Sequence, residues 1–233
     1  MGQPLQAPAG SFQVLLDPAA GSEGLLQRVL ELAPGASCAV GHPGADDVLY
    51  VARGSGLLVS GLGEAKNSIR PGTAALVPSK VPAHLVNTGT EDLMVVSVLS
   101  PPPFDGFFTM EARDLPITPL HEDERQQLSA GEDRYFKLLI ESDHVTQFVG
   151  FIGRSKAPPH THAYEEAIYV LDGEGLVHAE DSTTPIRPGT SIFLPPSTSH
   201  CLENQGPGLL KVLGVFSPPG SPADKKDMLA DRR

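Results

Sequence analysis

The chain is 233 residues long and 40% of its residues are hydrophobic, enough for one large domain or two small ones with apolar cores. Its 28 acidic and 17 basic residues give a formal net charge of −11. A surface this negative repels phosphate backbones, which excludes nucleic acid as a partner. No apolar run is long enough to span a bilayer and no basic-plus-apolar leader opens the sequence, so we expect a cytoplasmic protein with no membrane partner.

The predicted elements are short. Twenty-four glycines and 23 prolines are spread between brief apolar runs, a pattern typical of many short strands joined by tight turns. Helical periodicity is confined to two modest candidates, residues 122–129 and 224–232. The sequence therefore predicts an all-β protein of the sandwich or barrel type.

The same series of strands occurs twice. Gly173 follows Gly54 by 119 residues and Ser217 follows Ser100 by 117, so blocks recur in order at a nearly constant offset. The matched blocks are FQVLLD (12–17) with FKLLIE (136–141), LYVARGSGLLV (49–59) with IYVLDGEGLVH (168–178), IRPGTAALVPS (69–79) with IRPGTSIFLPP (186–196), and VLSPPP (98–103) with VFSPPG (215–220). We predict two homologous β domains, 10–103 and 134–220, joined by a linker with a short helix at 104–133 and followed by a tail or helix at 221–233.

The second copy carries a group of potential metal ligands. His160 and His162 are two residues apart, so in a strand they point to the same face. Glu166 returns on the next strand after a turn, and His200 begins a later one. Three imidazoles and one carboxylate suit a single divalent transition metal such as Mn, Fe, Ni, Co or Zn. The alternative is a histidine cluster with purely polar packing. Cys38 and Cys201 lack a CxxC spacing and predict neither a disulfide framework nor a thiolate zinc site.

These residues resemble the two motifs of the cupins, G(x)5HxH(x)3–4E(x)6G and G(x)5PxG(x)2H(x)3N. The sequence has eight residues of the two motifs at the family spacing: His160, His162, Glu166, Gly173, Gly189, Pro195, His200 and Asn204. It departs at two turn positions, where Arg154 and Ser197 replace glycines. The resemblance implies two tandem cupin barrels of the double-stranded β-helix or jelly-roll type, with His160, His162, Glu166 and His200 as metal ligands.

The first copy lacks most of these ligands. Asp47 aligns with Glu166, but Gly41 and Pro43 stand where the first two histidines would be, and Ala83 stands where the third would be. The alternative is a shifted site formed by His42 and His84 with Asp46 or Asp47. The chain as a whole resembles a bicupin whose N-terminal barrel is degenerate and whose C-terminal barrel keeps a working site.

Three further side chains are candidates for contacting a substrate. Lys156 is predicted to share a face with the two histidines and to hold a substrate carboxylate, or else to be a solvent-exposed lysine at the rim. Tyr164 lies beside the ligands, where it binds substrate or packs on the rim. His178 lines the mouth of the barrel or is an exposed strand residue.

Two functions remain open at this point. In the first, the protein is an enzyme in which a metal polarises a small oxygen-bearing substrate, with decarboxylase, dioxygenase, isomerase or hydrolase-type chemistry. Because Glu166 is the one carboxylate among the ligands, we expect an anionic substrate. In the second, the protein is a non-catalytic cupin that binds a metal or a small molecule. The partner is a small molecule in both cases, and a homodimer stays open as the assembly.

Overall fold

The structure, a computed structural model, describes residues 10–61, 65–103, 112–154, 156–223 and 226–227. Its contacts divide the chain into two compact units. The first contains Leu26–His121 and the strand that precedes it, and the second contains Pro18–Leu25 with the described residues from Glu122 onward. The predicted boundaries, by contrast, keep residues 18–25 in the first domain.

The first unit consists of two antiparallel sheets. One has the strand order β1-β2-β9-β4-β7-β10 and the other β3-β8-β5-β6. An apolar core of buried aliphatic side chains, among them Leu32, Leu58 and Val95, fills this unit. Its strands are β1 (Ser11–Leu16), β2 (Leu26–Leu32), β3 (Ser37–Val40), β4 (Asp46–Arg53), β5 (Gly56–Ser60), β6 (Ala65–Ile69), β7 (Thr73–Val77), β8 (Ala83–Asn87), β9 (Leu93–Ser100) and β10 (Leu120–His121).

The second unit repeats this plan. Its sheets have the orders β11-β12-β13-β20-β15-β18 and β17-β16-β19-β14-β21. Ile168, Val170 and Val212 belong to its aliphatic core. Its strands are β11 (Leu128–Ser129), β12 (Arg134–Glu141), β13 (Thr146–Ile152), β14 (His160–Thr161), β15 (Glu165–Asp172), β16 (Gly175–Ala179), β17 (Ser182–Ile186), β18 (Ser191–Leu194), β19 (His200–Asn204), β20 (Leu210–Ser217) and β21 (Lys226–Asp227).

Strand pairing confirms the internal duplication. Asp47 on β4 faces Leu99 and Val77, while Glu166 on β15 faces Phe216 and Leu194, which are the aligned partners in the second copy. The turn glycines are equivalent as well. Gly54 and Gly173 both have a positive φ, and a Cβ on either would lie within 3 Å of a neighbouring backbone. Only glycine fits such a turn without strain, which explains why this residue recurs in both copies.

The predicted all-β class is confirmed, and the helical candidates need correction. Among the described residues the helical segments are two three-residue 3-10 turns, Pro18–Ala20 and Glu122–Glu124. Residues 122–129 do not form the predicted α-helix, because Leu128 and Ser129 pair with β12 instead. Most of the second candidate lies outside the described residues, and its described pair, Lys226–Asp227, is a strand. No helix in the described part of the chain is long and apolar enough to cross a membrane.

Candidate metal centre

Three histidines converge inside the second unit. His160 and His200 are direct cross-strand partners on β14 and β19, and His162 follows two residues after His160. Their ligand nitrogens all lie within 4.8 Å of one another. The Nδ1 atoms of His160 and His200 lie 3.3 and 2.9 Å from the carbonyl oxygens of Pro158 and Thr198, respectively. When Nδ1 carries the proton that such a carbonyl accepts, the other ring nitrogen is left as a ligand, as is usual for metal-binding histidines.

Glu166 completes the cluster from β15. Its Oε2 lies 3.3 Å from Nε2 of His200 and 3.8 Å from Nε2 of His162. The residue is 5% exposed, and among the described residues Oε2 has no hydrogen-bond partner. A buried carboxylate oxygen without a partner is costly, whereas a cation held between this oxygen and the imidazoles would satisfy it. The donor set therefore fits a divalent transition metal.

The four side chains lie at the wall of a small cavity. Its volume is about 90 Å³, and its wall is mostly apolar, including Phe136, Phe148, Phe216 and Ile168. The phenylalanines form one cluster, with the rings of Phe148 and Phe216 centred 4.9 Å apart. Apolar walls of this kind exclude water and strengthen electrostatic interactions at the histidine end.

Tyr164 supports the site from its rim. Its ring stacks on the imidazole of His162, with centroids 5.0 Å apart and planes inclined by 12°. Its hydroxyl donates a hydrogen bond to the carbonyl oxygen of Ser221 at 2.8 Å. Gly220 lies against the same ring, where a Cβ would collide with it. This arrangement orients His162, so the contacts favour packing over substrate binding for Tyr164.

Lys156 and His178 are not brought to this cavity. Nζ of Lys156 lies 3.9 Å from Oε2 of Glu203, and Nε2 of His178 lies 2.8 Å from the same oxygen. Nδ1 of His178 lies 3.0 Å from Oγ1 of Thr183. Neither side chain lines the cavity described above. Their predicted substrate contacts stay predictions that this placement does not favour.

Glu165 has a different role from its neighbour Glu166. It is also buried, but its carboxylate accepts hydrogen bonds from Oγ of Ser22 and the backbone N–H groups of Glu23 and Gly24, at 2.9, 2.7 and 2.9 Å. It thereby fixes the segment Pro18–Leu25 against β15. Sequence reasoning missed this anchor because its donors lie more than 140 residues away in the chain.

Arg134 is the second residue that sequence reasoning missed. It begins β12 and lines the same cavity as the three histidines. Its Nη2 donates a hydrogen bond to the carbonyl oxygen of Leu202 at 2.9 Å. Burial lowers the pKa of this guanidinium, and the neighbouring Asp133 acts in the opposite direction. The signal that was available is the period of two along β12, which puts Arg134 on the same face as Phe136.

In the first unit an arginine neutralises the carboxylate that corresponds to Glu166. Asp47, the counterpart of Glu166, is fully buried and 3.0 Å from Nη2 of Arg28. Its carboxylate also accepts hydrogen bonds from Oγ of Ser97 at 2.6 Å and from the backbone N–H of Gly41 at 3.0 Å. The carboxylate is therefore satisfied by the protein itself, which leaves no need for a metal.

The alternative first-unit site, which would use His42 and His84, does not form a ligand cluster among the described residues. Ala83 is buried while His84 is exposed. Nδ1 of His42 accepts a hydrogen bond from the backbone N–H of Gly44 at 3.1 Å. Within the described ranges, the group of three or more converging metal-ligating side chains is His160, His162 and His200.

Comparison with other sequences identifies the family. The cupin domain family matches residues 28–99 and 150–216, more than half of the chain. The oxalate-binding protein of Thermotoga maritima is 32% identical over 85 residues, which are 34% of this chain and 70% of that protein. An uncharacterized protein of Methanocaldococcus jannaschii is 38% identical over 71 residues, and this match spans 30% of the chain and 57% of the relative.

Solved structures show the same architecture. Bacillus subtilis oxalate decarboxylase, a protein with Mn(II) centres, superposes with a TM-score of 0.75 at 14% identity, over 94% of this chain and 75% of that one. Protein Ylba from E. coli superposes with a TM-score of 0.73 at 13% identity, over 93% and 86% of the two chains. At these identities the similarity establishes the fold. Together with the two family matches, it shows that the chain belongs to the cupin family and is a bicupin.

Proposed function

We propose that the second barrel binds one divalent transition metal through His160, His162, His200 and Glu166 and acts on a small carboxylate. The observation that carries this proposal is the buried Oε2 of Glu166, which faces imidazole nitrogens and has no hydrogen-bond partner among the described residues. If this carboxylate had no metal-binding role, we would expect a protein donor to satisfy its oxygen, as Arg28 does for Asp47 in the first barrel.

The charge of the site favours an anionic substrate. A divalent ion bound to one carboxylate and three neutral imidazoles keeps a net charge of about +1. The apolar wall, which includes Phe148 and Phe216, excludes water and so strengthens the interaction of this charge with a ligand. A carboxylate that enters the cavity therefore gains more binding free energy than a neutral molecule of the same size.

The chemistry proposed for this site is metal-assisted transformation of a small organic acid. A bound metal would polarise a substrate oxygen and stabilise negative charge as it develops. The chain itself orients His160 and His200 through backbone carbonyls, orients His162 through the ring of Tyr164, and keeps the phenylalanine wall dry. The relatives include an oxalate decarboxylase and an oxalate-binding protein, which supports a carboxylate ligand for this chain.

Binding without turnover is the second candidate function. Its support is the 32% identity to the Thermotoga maritima oxalate-binding protein and the small volume of the cavity. The two candidates share the metal and the anion and differ in whether product forms.

Elemental analysis of protein purified without chelators tests the metal first. We expect one equivalent per chain in the wild type, loss of most of it in His162→Ala, and no loss in the matched control His42→Ala. Loss of metal from His42→Ala to the same extent would contradict the assignment to the second barrel. A screen of small carboxylic acids with Mn²⁺-loaded protein then separates the two functions, since turnover of any of them supports an enzyme.

A further inference from the structure

The cavity beside the candidate metal ligands has one polar end and an apolar remainder. Ile168 follows Glu166 by two residues on β15. Leu202 follows His200 in the same way on β19, and all four residues line the cavity. Alternate residues of a strand share a face and are separated by about 7 Å. Each of the two strands therefore presents a candidate ligand and then an aliphatic side chain to the same space.

A series of aromatic rings also leads away from the ligands. The ring of Phe216 is centred 5.2 Å from the imidazole of His162, and the ring of Phe148 is centred 4.9 Å from that of Phe216. Phe136 follows, with its ring centred 6.4 Å from that of Phe148. Gly214 makes room for this series, because a Cβ on it would collide with the ring of Phe148. The apolar wall therefore begins directly at the candidate ligands.

The rest of the wall offers little to a second polar group. Among the described residues that line the cavity, Arg134 is the charged one besides the candidate ligands. Its guanidinium already interacts with the protein, including the carbonyl oxygen of Leu202. Ala157, Val212 and Pro222 add hydrocarbon to the wall. A polar group placed against such carbons loses its hydration without gaining a partner, whereas an alkyl group gains free energy from the same burial.

We infer that the cavity selects a small monocarboxylate with a short alkyl chain over acids whose chain ends in a second polar group. The carboxylate faces the three histidines, and the alkyl chain lies along the phenylalanines and Val212. The inference rests on the proposed metal-dependent function and specifies its substrate class. A cavity of about 90 Å³ is smaller than the roughly 150 Å³ cavity that accommodates benzene, which limits the ligand to about four to six non-hydrogen atoms, the size of acetate to butyrate.

The test measures the affinities of acetate, butyrate, β-hydroxypropionate and succinate for the Mn²⁺-loaded full chain by calorimetry. Butyrate and β-hydroxypropionate have the same number of non-hydrogen atoms and differ in whether the chain ends in a methyl or a hydroxyl group. Each buried methylene is worth about fourfold in affinity, so we expect butyrate to bind about fifteenfold more tightly than acetate. Butyrate should also bind at least about tenfold more tightly than β-hydroxypropionate or succinate, because their terminal groups lack a partner in the wall.

Val212→Thr tests the wall itself, because it replaces a methyl group with a hydroxyl at nearly constant side-chain size. We expect this variant to lose most of the preference for butyrate over acetate, while its metal content and its affinity for acetate stay unchanged. Val215→Thr is the matched control, since Val215 lies on the same strand, β20, and is also buried but does not line the cavity. Its preference for butyrate should equal that of the wild type. An equal loss of preference in the two variants would overturn the inference, because it would show that the effect is structural.

The remaining outcomes separate this inference from the proposed function. If the wild type binds acetate, β-hydroxypropionate or succinate at least as tightly as butyrate, or if Val212→Thr keeps the wild-type preference, the inference is overturned and the metal site stands. If Val212→Thr does not fold, Ile168→Val decides. Removing one carbon from the wall should raise the affinity for pentanoate relative to butyrate, and an unchanged ratio overturns the inference. If none of these acids, nor oxalate, binds the Mn²⁺-loaded protein better than the metal-free protein, the proposed function itself fails and the inference fails with it.

Discussion

Glu165 and Glu166 are adjacent buried carboxylates with opposite surroundings, and replacing each by glutamine is expected to have opposite effects on stability. Glu166 lacks a hydrogen-bond partner at Oε2 among the described residues, whereas Glu165 accepts three hydrogen bonds from Ser22, Glu23 and Gly24. The two substitutions conserve side-chain shape, so the difference between them reports the environment of the charge.

The expected magnitudes follow from those environments. In metal-free protein Oε2 of Glu166 is buried and has no hydrogen-bond partner among the described residues. Glu166→Gln should then stabilise the metal-free protein by about 1–3 kcal/mol, the cost of an unsatisfied buried polar group. Glu165→Gln should destabilise it by about 2–3 kcal/mol, because charge-assisted hydrogen bonds are lost.

Thermal unfolding with and without Mn²⁺ is the assay. At roughly 2–4 °C per kcal/mol for a chain of this length, both shifts are measurable. Added metal should raise the Tm of the wild type and of Glu165→Gln by the same amount and that of Glu166→Gln by much less. A lower Tm for metal-free Glu166→Gln, or an equal metal-induced rise in Glu166→Gln and the wild type, would refute the reasoning.

Three further predictions concern other parts of the molecule. Arg28→Met should destabilise the protein by about 3–5 kcal/mol in urea unfolding, because it leaves the buried Asp47 carboxylate without its counter-ion. Metal content should not change, and stability should recover when Arg28→Met is combined with Asp47→Asn. Ser197 has a φ of +65°, so Ser197→Gly should raise stability by about 0.5–1 kcal/mol, the relief of left-handed strain less the added freedom of the unfolded chain; a fall in Tm would count against this. Metal content measured after dialysis should decrease as the pH drops below about 6, because protonated imidazoles do not bind metals; a constant content down to pH 4.5 would argue against histidine ligands.

Local sequence features were sufficient to predict the strands, the duplication and the order of the ligands. Alternation of apolar residues and the position of turn glycines are properties of neighbouring residues, so Gly54 and Gly173 mark the same turn in both copies without reference to the rest of the fold. The spacing of His160, His162 and Glu166 likewise depends on two consecutive strands and the turn between them. The prediction of a helix at residues 122–129 was wrong because a distant contact decides this segment: Leu128 pairs with a residue of β12.

The tertiary structure decided which distant residues meet. The pairing of His160 with His200, the contact of Arg28 with Asp47 and the hydrogen bonds from Ser22, Glu23 and Gly24 to Glu165 depend on strand register and on loops that bring remote segments together. A shift of one residue in register would turn the strand residues among them, such as His160 and Asp47, to the other face of the sheet. For that reason the sequence by itself determined that one copy has a metal-ligand set and the other does not. Only the folded chain shows that an arginine neutralises the first carboxylate and that a second arginine lies in the wall of the cavity beside the histidines.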